Sequence, residues 1–155
     1  MAARVLLLFL LLLPASAWGW SGVVSRVSDG DTFRVRLDNA TVVKVRLYGI
    51  DCPEKEQPGG QNATEFTRAK VFGQRVEAET VSVDRYGRLV SLVQSSGENL
   101  NRQLVIAGHA WVSTKYCHRA LCRQFIVDEA AAKASGRGLW ADPNPLPPWE
   151  WRKHH

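Results

Sequence analysis

Val45-Arg46-Leu47-Tyr48-Gly49-Ile50-Asp51-Cys52-Pro53-Glu54 runs an apolar strand pattern into a turn that holds two carboxylates. In an extended chain Val43, Val45 and Leu47 fall on one face and Lys44, Arg46 and Tyr48 on the other. Gly49 stops the strand, and proline at position 53 stiffens the turn that presents Asp51 and Glu54. Taken alone, the pattern describes a solvated strand face that ends in an acidic turn. It becomes a site only if other parts of the chain bring partners to it.

Upstream, Val23, Val24 and Val27 open a strand, and Ser28-Asp29-Gly30-Asp31 is a tight-turn sequence. Phe33, Val35 and Leu37 then alternate with Thr32, Arg34 and Arg36, and Asp38-Asn39-Ala40 turns the chain into Thr41–Tyr48. The spacing predicts a three-stranded antiparallel meander whose polar face carries Arg34, Arg36, Lys44 and Arg46. Downstream, Lys55–Gly60 reads as a loop, and Asn62 with Glu65 resembles a capping box before a helix that runs to about Phe72 with Ala63, Phe66, Ala69 and Phe72 as its stripe. Arg75–Val83 is β-rich, and its shift in apolar parity predicts a bulge. Asp84–Arg88 turns it back into Leu89–Val93.

A helix over Asn99–Ala107, stopped by Gly108, a short extended piece at Trp111 and Val112, and a helix over Leu121–Ser135 follow. Five short strands with a helix inserted between the third and fourth predict an α+β fold that is mainly β barrel, a five-stranded OB-type Greek-key barrel with three helices. The Pro/Trp-rich tail, residues 141–155, reads as extended or polyproline II and is expected to pack across the barrel or its helices. There is no internal repeat and no second domain.

The chain has 155 residues and three cysteines, with 20 Lys+Arg against 15 Asp+Glu. At the N-terminus Arg4 precedes an apolar run from Val5 to Leu13, closed by Pro14 and Ala15-Ser16-Ala17, the layout of a signal peptide over residues 1–17. The run is too short to span a bilayer. Cleavage after Ala17 is expected, an uncleaved anchor being the alternative. Loss of Arg4 lowers the net charge from +5 to +4, and the product is a basic, exported chain, periplasmic or secreted. Basic charge suits an anionic polymer without requiring one.

Export permits disulfides. Five residues along one continuous helix rise about 7.5 Å, too far for a bridge, so a Cys117–Cys122 bond needs a bend between the two. That bond is expected and would leave Cys52 as a free thiol; an intermolecular pair is the alternative.

Four pieces converge on one chemistry. Asp31 in the first hairpin turn and Asp51 after the third strand can meet when a small barrel closes, and paired carboxylates form a hard oxygen site for Ca2+ or Mg2+. Arg46 and Arg88 are planar forks able to grip a phosphodiester and stabilise the charge that develops on it. Glu54 is placed to orient or deprotonate a water. Metal site, base and twin guanidinium groups are the set that phosphodiester hydrolysis needs.

Asp29-Gly30-Asp31-Thr32, Val45-Arg46-Leu47 leading to Asp51-Cys52-Pro53-Glu54, Tyr86-Gly87-Arg88 and Gly138-Leu139-Trp140 together resemble the staphylococcal (micrococcal) nuclease family, exported bacterial branch. The likeness extends from about Ser21 to Trp140, within a domain expected over residues 18–140. It implies a Ca2+-dependent endonuclease that cleaves DNA and RNA to 3′-phosphate ends. It also implies Asp31, Asp51 and the Cys52 carbonyl as metal ligands, Arg46 and Arg88 on the scissile phosphate, Glu54 as the residue handling water, and Arg85, Tyr86 and Tyr116 in the nucleotide pocket. Cys52 stands where the family's type member has threonine, and Thr114 replaces the first of two pocket tyrosines. A monomer without a stable protein partner and, once the leader is removed, without a membrane contact is expected. The competing reading is a non-catalytic OB-fold nucleic-acid-binding module. Asp31, Asp51 and Glu54 argue against it, because in a basic groove without a metal they would repel phosphate.

Overall fold

In the computed structural model, which describes residues 19–155, three strands form the expected antiparallel meander: β1 (Trp20–Val27), β2 (Thr32–Leu37) and β3 (Val42–Leu47). The two-residue β4 (Ile50–Asp51) and then α1 (Gly60–Val71) follow. β5 (Arg75–Val83) and β6 (Leu89–Ser95) make the second hairpin, extended by the short β7 (Glu98–Asn99). Next come α2 (Leu100–Ile106), β8 (Trp111–Val112) and α3 (Cys122–Ala134). A 3-10 turn over Gly138–Ala141 and the single-turn α4 (Pro148–Trp151) end the chain. The leader reading falls on residues 1–17, outside the described residues.

The strand order is β3-β2-β1-β5-β6, and a parallel pairing of β3 with β6 joins the two ends into a five-stranded barrel. This is the expected OB-type architecture with its three longer helices, to which α4 adds a fourth. Strand alternation fills the interior: Val24, Phe33, Val35, Val45, Leu47, Val76, Ala78 and Val93 are all buried. The predicted bulge lies between Thr80 and Ser82. At one mouth of the barrel β4 turns aside to pair with β8, which sets Asp51 opposite Trp111.

Three local expectations are corrected. α1 begins at Gly60 rather than at an Asn62/Glu65 capping box, and its N-cap, Gly59, makes no side-chain cap hydrogen bond. Packing fixes this junction: a Cβ on Gly60 would lie 1.8 Å from the Glu54 carbonyl oxygen, and the Glu54 N–H donates to Gln57 Oε1 at 3.1 Å. The buried stripe of α1 is accordingly Gly60, Ala63, Thr64, Thr67 and Val71, leaving Phe72 exposed. Both threonines can be buried because their hydroxyls donate to the carbonyls of Gly60 and Gly30.

Tyr48 does not join the polar face. It is buried, with its hydroxyl accepting from the His118 and Arg119 N–H groups at 2.9 and 3.3 Å. The tail is not wholly extended, because Pro148, though unable to continue a helix, occupies the first turn of one.

Cys117 and Cys122 are bonded, with a Cα separation of 5.7 Å. α3 starts only at Cys122, so the required bend precedes it. A Cβ on Gly49, at φ +75°, would lie 2.4 Å from Cys117 Sγ, so glycine there serves both the turn and the staple. Cys52 is a free thiol, as expected, and it is buried. Burial pushes that thiol well above its ordinary range, which leaves it neither reachable nor reactive enough to pair with another chain.

Candidate active site

The turn that carries Asp31 is pinned on every side. The Asp31 N–H donates to Asp29 Oδ1 at 3.1 Å, and Thr67 in α1 donates to the Gly30 carbonyl at 2.5 Å. Gly30 leaves no room for a side chain, since a Cβ would come within 2.8 Å of the Cys52 and Ala63 Cβ atoms. The Leu47 N–H donates to the Asp31 carbonyl at 2.9 Å, which ties the turn to the end of β3. From the far side of β3, the Cys52 N–H donates to Asp31 Oδ2 at 2.7 Å.

Arg46, on β3, faces both acids. One guanidinium nitrogen donates to Asp31 Oδ1 and the other to Asp51 Oδ1, the latter at 2.7 Å. The two carboxylates are thus drawn from the β1–β2 turn and from β4 onto one fork, with Asp31 at 1% and Asp51 at 5% relative exposure. Burial pushes the Asp31 carboxyl up, and the Arg46 guanidinium pulls against that. Burial likewise works against the Arg46 charge, but Asp31 and Asp51 outweigh it and hold the guanidinium protonated. A buried acid pair of this kind needs nearby positive charge to stay ionised.

Glu54 lies on the open side of this cluster, and a second arginine reaches it from the tail. Arg152 donates to Asp51 Oδ2 at 2.7 Å, to Asp51 Oδ1 at 3.3 Å and to Glu54 Oε1 at 2.6 Å. Arg46, Asp31, Asp51, the backbone of Cys52 and Glu54 are therefore assembled in one place. Its acceptors are carboxylate oxygens of Asp31, Asp51 and Glu54, and its positive charge comes from the Arg46 and Arg152 guanidinium groups. Paired carboxylate oxygens suit a hard divalent cation. Among the described residues no group of three His, Cys, Asp or Glu side chains is disposed to hold a metal, so carbonyl and solvent oxygens would have to complete a coordination shell begun by Asp31 and Asp51.

Arg88 is placed at the same seam without joining the cluster. Leu89 pairs with Val45 and Val90 with Arg46 across the closing β3–β6 contact, so Arg88 enters β6 beside the strand that bears Arg46. Its Nε donates to Asp84 Oδ2 at 2.6 Å, within its own hairpin. Asp84 also accepts from the Tyr86 and Arg88 N–H groups, which shape that turn. Arg85 lies over the Tyr86 ring at 4.8 Å and donates to its hydroxyl. Tyr86 and Tyr116 are 66% and 63% exposed, with Arg88 also over the Tyr86 ring and Lys115 over the Tyr116 ring. A cleft of about 400 Å³ lies beside the carboxylates rather than over them, lined by Asn62, His109, Leu139, Leu146 and Trp151 among others.

Sequence reasoning missed Arg152. No local signal marks it: it is one basic residue after a Pro- and Trp-rich stretch, and it lies about a hundred positions from the acids it meets. The tail's two tryptophans were the available hint. Trp149 meets Trp111 edge-on at 5.6 Å, and Trp111 is the strand partner of Asp51.

Comparison with known proteins identifies the family of the chain. A match to the family described as staphylococcal nuclease homologue covers residues 44–142. An uncharacterized endonuclease of Escherichia coli O157:H7 is 38% identical over 148 residues, 95% of this chain and 94% of its own length. An uncharacterized endonuclease of Haemophilus influenzae is 34% identical over 149 residues, 96% of this chain and 82% of its own. A micrococcal nuclease of Shigella flexneri is 35% identical over 153 residues, 92% of this chain and 87% of its own. With the barrel and these matches in agreement, the chain belongs to the staphylococcal nuclease family.

Proposed function

We propose that the chain is a Ca2+-dependent endonuclease that hydrolyses phosphodiesters of DNA and RNA and leaves 3′-phosphate ends. The observation that carries this reading is the convergence of Asp31, from the β1–β2 turn, and Asp51, from β4, on the Arg46 guanidinium with Glu54 alongside. Asp31, Asp51 and the Cys52 carbonyl would hold the cation. Bound there, Ca2+ would supply Lewis-acid polarisation of a phosphate oxygen and a seat for the attacking water.

Arg46 and Arg88 hydrogen-bond the non-bridging oxygens and neutralise the charge that accumulates as phosphorus is attacked. Glu54 accepts the proton of the incoming water. Water adds in line, the P–O5′ bond breaks, the departing 5′-oxygen takes a proton from solvent to leave as the hydroxyl, and phosphate stays on the 3′ side. Arg85, Tyr86 and Tyr116 receive the adjoining nucleotide by stacking and charge.

The Cys117–Cys122 disulfide supports an oxidising location, hence a periplasmic or secreted enzyme. Nucleic acid is the partner, met by a monomer.

The test is incubation with single- and double-stranded DNA and RNA, with Ca2+ and in EDTA, followed by analysis of the product ends. Ca2+-dependent 3′-phosphate ends are expected. Binding without cleavage in Ca2+ would instead establish a non-catalytic module, and cleavage that survives EDTA would remove the cation from the mechanism.

A further inference from the structure

The last residues are docked, and the docking delivers a charge. Pro148 is buried, Trp149 packs edge-on against Trp111 at 5.6 Å, and Gln57 Nε2 donates to the Leu146 carbonyl at 2.6 Å. Trp111 is the β8 residue paired with Asp51, so the tail is seated on the strand next to the acid itself. α4 ends one residue before Arg152, and its single turn aims that guanidinium at both Asp51 oxygens and at Glu54 Oε1. Asp51 then has Arg46 on one side and Arg152 on the other.

A carboxylate has only a few lone-pair directions, and a guanidinium fork uses the same ones that a hard cation needs. While Arg152 holds Asp51 Oδ2 and Glu54 Oε1, the face of Asp51 not held by Arg46 is occupied. Glu54 accepts a hydrogen bond from a permanent cation instead of from water. Arg152 and a divalent cation with its water compete for one set of oxygens.

We propose that Arg152, strapped in place by α4, is a built-in competitor of the divalent cation, and that cation binding releases the C-terminal strap. The proposal rests on the reading of Asp31 and Asp51 as cation ligands. The same coupling must act in both directions: removing the arginine tightens cation binding, and binding the cation loosens the tail by the same factor. Arg152 is about half exposed and its attraction is partly screened, so the effect on cation affinity is about tenfold, toward the low end of allosteric couplings.

The full chain can be compared with Arg152→Gln, which removes the charge, and with Trp149→Ala, which loosens the docking without touching the acids. Ca2+ affinity is read by calorimetry, and the tail by the rate of chymotryptic cleavage at Trp151 with and without Ca2+. Both variants should bind Ca2+ about tenfold more tightly than the parent, and Ca2+ should speed cleavage of the parent's tail. Equal Ca2+ affinity in all three proteins, weaker binding by Arg152→Gln, or a tail equally protected in both conditions overturns the strap while leaving the cation site standing. Absence of Ca2+ binding in all three overturns the cation site and the strap together.

Discussion

Arg46→Met separates what Arg46 does for the fold from what it does for chemistry. Methionine keeps an unbranched stem against the barrel and removes the fork. Asp31 is then left with the Cys52 N–H and the Thr32 hydroxyl as partners, while Asp51 keeps Arg152. Removing one member of a buried ion pair costs about 3–5 kcal/mol. Arg152 still serves Asp51 and the Arg46 side chain is itself one-fifth exposed, so the low end, about 3 kcal/mol, is expected.

That loss should appear as a lower urea midpoint with little change in slope when unfolding is followed in EDTA. Ca2+ at a hundredfold excess over its dissociation constant restores about 2.7 kcal/mol to any variant that retains the site. Arg46→Met should therefore recover much of its stability in Ca2+ and yet stay inactive, because the phosphate has lost its fork. An unfolding midpoint in EDTA equal to that of the parent would refute the account of Asp31 and Asp51 as buried acids that depend on Arg46.

Arg88→Ala should lower turnover by about 10²–10³-fold, the usual effect of deleting one donor to a developing charge, and should leave the unfolding midpoint close to the parent's because the Asp84 pair lies within one hairpin. Burial holds the His109 imidazole below its ordinary value of 6.5. Between that value and the lower native one the unfolded chain binds more protons, so stability should fall as pH drops through 6.5, level off below the native pKa, and lose this slope in His109→Gln. Replacing Cys117 and Cys122 by serine should cost about 2 kcal/mol from the small loop they close, read as a lower thermal midpoint. The double variant matching the reduced parent protein would assign the loss to the bond rather than to the serines.

The hairpins were legible because their turns are local: Asp29-Gly30-Asp31 and Asp84–Arg88 carry the residues that tight turns demand, and alternation marks the strands between them. The acidic turn was legible for the same reason, as Asp51 and Glu54 follow a strand that ends in glycine. Tyr48 was misread because period-two alternation says nothing of a partner arriving from His118 and Arg119, far along the chain. The stripe on α1 was misplaced because an apolar pattern overlooks threonines, which are buried there through their carbonyl partners. Arg152 was invisible because its position depends on Trp149 finding Trp111, a contact without a sequence period.

The parallel contact of β3 with β6 has a bearing on folding order. Val45–Leu47 and Leu89–Ser91 are separated in sequence by α1 and β5, a non-local pairing that chains make slowly. Arg46 lies within that seam and Arg88 at its edge, so closing the barrel sets the two guanidinium groups on neighbouring strands. The approach of Arg88 to Arg46 therefore reports closure of the barrel.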